Sequence, residues 1–294
     1  MKLFRDGKPF YKGNIHCHST RSDGRISPEE VMAVYYDMGY DFLALTDHRK
    51  VSKSGHSRKN MLLLSGVEWD YALPAEVIHL VGIGMDAGYT PKASLQDVQS
   101  EIRRIRKHHG CAVLAHPAWS LNTLATLSAL QGVTAAEIYN SGSTLPWEAD
   151  RADSSILLDI AATHGAPYGI VAADDSHSYT GEAGRGFIMV QSDELTQVSI
   201  IAALDAGWFY ASQGPTFEQI TIENDHIHVR CSPVDSVVFY SNRVWSHGRC
   251  ITKPGQTEAS YDLTANEGET FIRCQIVDAN GRSAWANPII LPLS

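Results

Sequence analysis

The sequence predicts an α/β protein built on parallel strands and followed by a short all-β tail. Three observations carry that expectation. Up to about residue 213, apolar runs of strand length alternate with helical periods, the pattern of a parallel sheet with helical crossovers. After Gly214-Pro215 the helical periods stop, and short strand-like runs follow one another between turn residues such as Asn280-Gly281, a hairpin signal. Residues of metal-ligand type end most of the apolar runs in the first part, which is where α/β barrels carry their active sites.

The elements follow in order. FYKGNIHCHS reads as a strand ending in His16 and His18. Ser27 is a fitting N-cap, Pro28 suits the first helical position and Glu30 completes a capping box. Val31, Val34, Tyr35 and Met38 keep helical spacing, and Gly39 closes the helix. DFLALTDH is a buried strand ending in His48, MLLLSGVEWD another that reaches Glu68, and EVIHLVGIGM a third that carries His79 in its interior. PKASLQDVQSEIRRIRKHHG reads as a helix stopped by Gly110, and CAVLAHP as a strand ending in His116. A helix over about 122–131 leads to AAEIYN, and one over about 150–164 leads to PYGIVAADDSH, which delivers Asp175 and His177. GFIMV, the helical DELTQVSIIAALDAG and WFYAS complete this part. The expected domains are 1–213 and 214–294, the second a small β-sandwich.

Bulk properties narrow the function. The chain has 294 residues and is 44% apolar, enough for a sizeable core. Its apolar runs fall short of the ~20 residues that span a bilayer, and the first residues lack the apolar core of a signal peptide. The cysteines at 17, 111, 231, 250 and 274 are odd in number and lack CxxC spacing, which suits reduced thiols in a cytoplasm. A net charge of −9 argues against a general grip on duplex nucleic acid.

Nine residues carry the chemistry: His16, His18, Asp23, His48, Glu68, His79, His116, Asp175 and His177. Neutral imidazoles and carboxylates bind Zn, Mn or Fe. Nine such groups are too many for one ion and enough for two or three. On an extended strand His16 and His18 point to one face and can chelate together, and Asp175 with His177 repeats that geometry. Glu68 can bridge two ions. A pair of ions ~3.5–4 Å apart can activate a bridging hydroxide and bind the oxygens of a reacting phosphoryl group.

Arg185, between two glycines, is a candidate anion anchor. Asn140 and Tyr139, at the end of AAEIYN, and Trp119, after His116-Pro117, are candidates to touch substrate. Arg49 and Lys50 read as a solvated charge pair, and His108 and His109 as cations at a helix C-terminus. His226 and His228 form another HxH pair without a further ligand signature.

HCHS, SDG, LTDH, GVEW, the in-strand His79, AHP and DDSH, in this order, resemble the motif set of the PHP family, named for polymerase and histidinol phosphatase. The resemblance covers about residues 10–213. It implies a distorted (β/α)7 barrel with a di- or trinuclear site. By resemblance His16, His18, Glu68 and Asp175 hold a first ion. Glu68, His79 and His116 hold a second, and Asp23, His48 and His177 a third. Asp23 stands where some relatives carry histidine. GRGFIMV, GWFYASQGPTF and the tail resemble a PHP branch that includes carbaryl ester hydrolase.

The resulting expectation is a cytoplasmic metal-dependent phosphoesterase that cleaves a small phosphorylated substrate through a metal-bridged hydroxide. Arg185 would stabilise charge on the phosphoryl oxygens, and His177 is the candidate proton donor to the leaving group. Hydrolysis of a carboxyl or carbamate ester by the same ions is one alternative, trimming of short oligonucleotides another, and a metal-stabilised binding module a third. The sequence leaves the oligomeric state open, a homo-oligomer included.

Overall fold

The computed structural model describes residues 1–57, 59–91 and 97–291. β1 (Phe10–Asn14) and β2 (Phe42–Ala44) run parallel, joined by α1 (Pro28–Asp37). The capping box is present: the Glu30 N–H donates to Ser27 Oγ, and the Ser27 N–H donates to the Glu30 carboxylate at 2.7 Å. β3 (Gly55–His56) is an edge strand antiparallel to β4 (Leu62–Leu64), and β4 is parallel to β2.

After Ser65 the chain enters β5 (Gly66–Ala72), β6 (Val77–Ile83), α2 (Val98–Lys107), β7 (Cys111–Leu114), α3 (Leu124–Ala129) and β8 (Ala135–Asn140). Residues 92–96, the start of the expected PKASLQ helix, lie outside the described residues. α4 (Ser155–Thr163), β9 (Gly169–Ala173), β10 (Phe187–Gln191), α5 (Gln197–Asp205) and β11 (Phe209–Ser212) follow. The sheet is mixed where a parallel one is expected. β6 runs antiparallel to both β5 and β7. The link from Ala72 to Val77 is a tight turn, far shorter than the dozen or so residues that a parallel crossover needs.

The tail forms β12 (Phe217–Glu223), β13 (His226–Ser241), β14 (Cys250–Asp262), β15 (Phe271–Val277), β16 (Ser283–Ala286) and β17 (Ile289–Ile290). HIHVRCS and SVVFYSN, expected as two strands, are one. β13 passes through Pro233 by shifting register there, which spares the ring a ladder hydrogen bond that it cannot make.

β5-β6-β7-β8-β9 make a five-stranded sheet. A 12-stranded sheet runs β12-β13-β15-β16-β11-β10-β1-β2-β4-β3, with β14 on β13 and β17 on β15. Two parallel bridges join the sheets, Cys17 with Ser176 past the ends of β1 and β9, and His48, past the end of β2, with Glu68 in β5. Between the sheets lies one core, with Ile15, Phe42, Val81, Val113, Val171 and Ile188. A second, with Leu80, Ile102, Leu114, Ile138 and Leu158, packs the helices on the outer face of the five-stranded sheet.

The tail is tied to the rest in three places. β11 pairs with β16. Phe4 joins the tail's core, beside a Leu3 N–H that donates to the Ile220 carbonyl. Arg273, fully buried on β15, reaches Asp159 on α4 with two hydrogen bonds of 2.8 and 2.7 Å. No helix among the described residues is long and apolar enough to cross a membrane.

Candidate metal centre

The strand ends build one cluster. β1 ends at Asn14, so His16 and His18 stand just past it, fully buried, on a segment held by backbone bonds to its neighbours. The Asp175 N–H donates to the His16 carbonyl at 2.9 Å, and the His18 N–H to the Ser176 carbonyl at 3.0 Å. Past β2, Asp47 fixes the other flank by accepting from the N–H and hydroxyl of Ser19. His116 and Asp175 both take left-handed backbone, at φ 30° and 51°. That conformation is uncommon outside glycine, and it sharply turns the chain as it leaves β7 and β9.

His79 departs from the strand-end rule for a topological reason. Because β6 is reversed, the start of β6 lies beside the end of β7, where the Ala115 N–H donates to the His79 carbonyl at 3.0 Å. A residue in the first half of β6 therefore faces the same rim as His116.

The nine residues fall into three overlapping groups. In the first, His16 Nε2 and His18 Nε2 lie 3.1–3.2 Å from both Glu68 Oε2 and Asp175 Oδ1. In the second, Glu68 Oε1 lies 2.8 Å from His79 Nδ1 and 3.6 Å from His116 Nε2. In the third, Asp23 sits 3.5 Å from His18 Nδ1, His48 Nε2 and His177 Nε2. Glu68 is common to the first two groups and His18 to the first and third, so His18 adds a residue to the third set implied by resemblance.

The donor set fits divalent ions. His16 Nε2, His18 Nε2, His48 Nδ1, Glu68 Oε2 and Asp175 Oδ1 are all buried, and none has a hydrogen-bond partner. Buried polar atoms are rarely left so. Here they are lone-pair donors converging on common points, and an N/O set of this kind suits Zn, Mn or Fe. The electrostatics agree. Burial disfavours charge on His18, yet Asp175 and Glu68 outweigh it and raise its pKa to about 9. Burial alone would raise Glu68 and Asp175, yet His16 and the imidazoles around them hold both below the ordinary carboxylate range. Positive charge is thus stabilised beside Glu68 and Asp175, while burial, with His18 and His79 nearby, lowers His48.

Several supporting residues escape a reading of the sequence. Glu137, fully buried in β8, accepts from His16 Nδ1 at 2.7 Å, from the His116 N–H at 2.8 Å and from Asn140 Nδ2 at 2.7 Å. A carboxylate only accepts, so His16 carries its proton on Nδ1 and turns the Nε2 lone pair to the cluster. The signal was there, a lone glutamate inside the apolar AAEIYN run. His177 is fixed alike, its Nδ1–H donating to the Asp175 carbonyl at 2.9 Å. Asp174 accepts from the N–H groups of Gly184, Arg185 and Gly186, and burial still pushes its pKa up to about 6. Glu182 gathers the N–H groups of His177, Ser178 and Tyr179.

A cavity of about 410 Å³ opens over the cluster. Trp119 lines it, packed edge-on against His116 at 4.9 Å between centroids. Asn140 is buried beneath it and donates to Glu137 and to Asp175. Arg185 stands outside the lining residues: its guanidinium lies over the Trp147 ring at 4.9 Å, and its N–H donates to Asp174. Tyr139, one residue before Asn140, points to the other face of β8 and stacks on Trp285. Arg25 is the lysine-or-arginine side chain that does line the cavity. His226 and His228 stack on each other in β13, outside the three groups.

No family model matches the chain. Over 100 residues it is 32% identical to a 5'-3' exoribonuclease of Haemophilus influenzae, covering 32% of this chain and 36% of that protein. Over 78 residues it is 32% identical to a 3',5'-nucleoside bisphosphate phosphatase of Chromobacterium violaceum, covering 25% of this chain and 27% of that one. The chain thus matches about a third or less of the length of these curated relatives. In structure it is similar to a two-domain protein of Bacteroides vulgatus described as containing a PHP-like metal-dependent phosphoesterase. That likeness has a TM-score of 0.56 and 16% identity, and covers 99% of this chain and 97% of the other. The PHP resemblance carried by the motifs therefore extends to the fold.

Proposed function

We propose that the chain is a metal-dependent phosphoesterase acting on a small phosphate ester. The observation that carries this reading is the convergence of five buried, unpartnered nitrogen and oxygen atoms, those of His48, Glu68 and Asp175 on residues that line an open cavity and those of His16 and His18 on residues outside its lining. Two or three divalent ions fit the three groups. Bound ions would neutralise phosphoryl oxygens and acidify a water for attack.

The chain's own residues supply the rest. His16, His18, Glu68 and Asp175 hold one position, Glu68, His79 and His116 a second, and His18, Asp23, His48 and His177 a third. Glu137 and the Asp175 carbonyl fix the tautomers of His16 and His177. His177 is partly exposed at the mouth with its Nδ1–H held by the Asp175 carbonyl, so its Nε2 serves either as ligand to the third ion or, where that position is empty, as proton donor to a leaving group. Trp119 forms an apolar wall that keeps water from one side of the ester. Arg185 acts through Trp147 rather than on the substrate.

We read β1, β2, β4 with β5, and β6 to β9 as a distorted seven-stranded barrel, in which the Cys17–Ser176 and His48–Glu68 bridges close the two seams. The division at 213/214, with a β-sandwich tail, is supported by the two-domain neighbour and by a tail core drawn mainly from β12 to β17, which Phe4 and Tyr210 join from the first part and to which the β11–β16 pairing ties that part. Five free cysteines favour a reducing cytoplasm.

An exonuclease on short oligonucleotides is the second reading, favoured by the relative named as an exoribonuclease. The test is a panel of phosphomonoesters, phosphodiesters, short RNAs and carboxyl or carbamate esters, given to Mn-, Zn- and Fe-loaded protein. Release of inorganic phosphate from monoesters, lost on chelation, supports the first reading. Cleavage confined to short RNA supports the second. Cleavage confined to carboxyl or carbamate esters overturns both.

A further inference from the structure

We propose that Arg25 selects the substrate, by pairing with a second anionic group on an aromatic phosphate ester whose ring lies between Trp119 and Trp147. The proposal rests on the phosphoesterase reading above and adds the class of substrate to it.

The backbone of Arg25 is fixed while its head is free. Gly24 packs so tightly that an added Cβ would stand 2.5 Å from the His18 backbone. The Gly24 N–H donates to the Ser19 carbonyl at 3.0 Å, and the Arg25 N–H to the His177 carbonyl at 2.8 Å. The Arg25 side chain is exposed, and among the described residues its guanidinium is in no hydrogen bond, ion pair or cation–π contact. Arg49, Arg104, Arg106, Arg273 and Arg282, by contrast, all pair with carboxylates.

Its position decides what it reads. The first two ligand groups lie at the buried floor, while Arg25 joins the third at the rim through His177. A phosphoryl group held by the first two ligand groups sits at the floor, which leaves Arg25, at the rim, facing the part of the ester that leaves. There it is the lone cationic side chain of a lining whose other charged members, apart from the histidines, are carboxylates. A guanidinium in such a place favours a carboxylate or phosphate, which it binds as a fork.

The ring is argued from the two tryptophans. Trp119 is held by His116 and by a bond from its Nε1 to Glu148 at 3.4 Å. Trp147 is backed by Arg185 and by Gly181, where an added Cβ would lie 3.7 Å from the ring. Two such indoles, braced from behind, present flat apolar area to the cavity at little entropic cost.

The test compares phenyl phosphate with its 2-, 3- and 4-carboxy derivatives, using the full chain with its ions. At least one carboxylated isomer should show a kcat/KM about 10–100-fold above that of phenyl phosphate, carried by KM. In R25Q that ratio should fall toward one, and R25K should restore part of it. A ratio unchanged in R25Q overturns the proposal, as does the absence of any preference. Calorimetric titration with phenylphosphonate and its carboxy derivatives, which are not hydrolysed, separates this from the chemistry. Tighter, Arg25-dependent binding of a carboxylated phosphonate without turnover of any ester keeps the site and rejects the phosphoesterase reading. Equal binding of all the phosphonates to wild type and R25Q overturns the proposal.

Discussion

Glu137 Oε1 lies 2.7 Å from His16 Nδ1, and both side chains are fully buried. The pair sets which His16 nitrogen faces the ions, and the other Glu137 oxygen holds the backbone of His116. E137Q keeps the shape and removes the charge. Divalent-ion affinity should fall about 10–100-fold, measured by competition with a fluorescent chelator, with the far-UV spectrum retained. Wild-type affinity in E137Q would show that His16 needs no such partner.

Chelation should lower thermal stability. Without ions, Glu68 and Asp175 keep buried oxygens that nothing satisfies. Returning a divalent ion to 100 times its Kd should restore about 2.7 kcal/mol, read as a rise in Tm. H16A/H18A should lose that increment. A Tm indifferent to chelator in wild type would mean that the cluster holds no tightly bound ion.

Arg273 and Asp159 tie the tail to α4 across the molecule. R273A leaves a carboxylate with part of its surface still open to water. The expected loss is therefore at the lower end for a broken buried pair, about 3 kcal/mol, in urea unfolding followed by fluorescence. A change under about 0.5 kcal/mol, the scale of an ordinary surface substitution, would make the pair incidental.

Burial separates the cysteines. It pushes the Cys111 thiol up to about 12 and the Cys231 thiol up to about 11, with Cys17 and Cys274 also raised, while Cys250 is exposed. A raised thiol pKa leaves little thiolate to react. At pH 8 an aromatic disulfide reagent should label one thiol rapidly, and C250S should abolish that phase. A second fast thiol would mean that one of the buried strands opens readily.

The nine clustered residues were legible because metal-ligand chemistry needs particular side chains and strand ends put them on one rim. His79 was legible as a residue and not as a position, since the reversal of β6 follows from a short link that periodicity does not register. Glu137 was missed because one acid in an apolar strand has many readings, and its partners lie far away in sequence. Arg185 and Arg25 both stand beside glycines near ligand motifs. Only packing separates them, by stacking one on Trp147 and leaving the other at the cavity mouth. The union of HIHVRCS and SVVFYSN was hidden by Pro233, which reads as a strand breaker until the register shift around it is seen.

The most direct test of the metal-dependent phosphoesterase reading follows phosphate release and metal content on one preparation. Both are measured as purified, after chelation and after return of Mn, Zn or Fe, with H16A/H18A alongside. Phosphate release from a small monoester should vanish and return with the bound ions, and be absent in H16A/H18A. Release that persists after the ions are gone, or in H16A/H18A, would contradict the assignment of the reaction to this cluster.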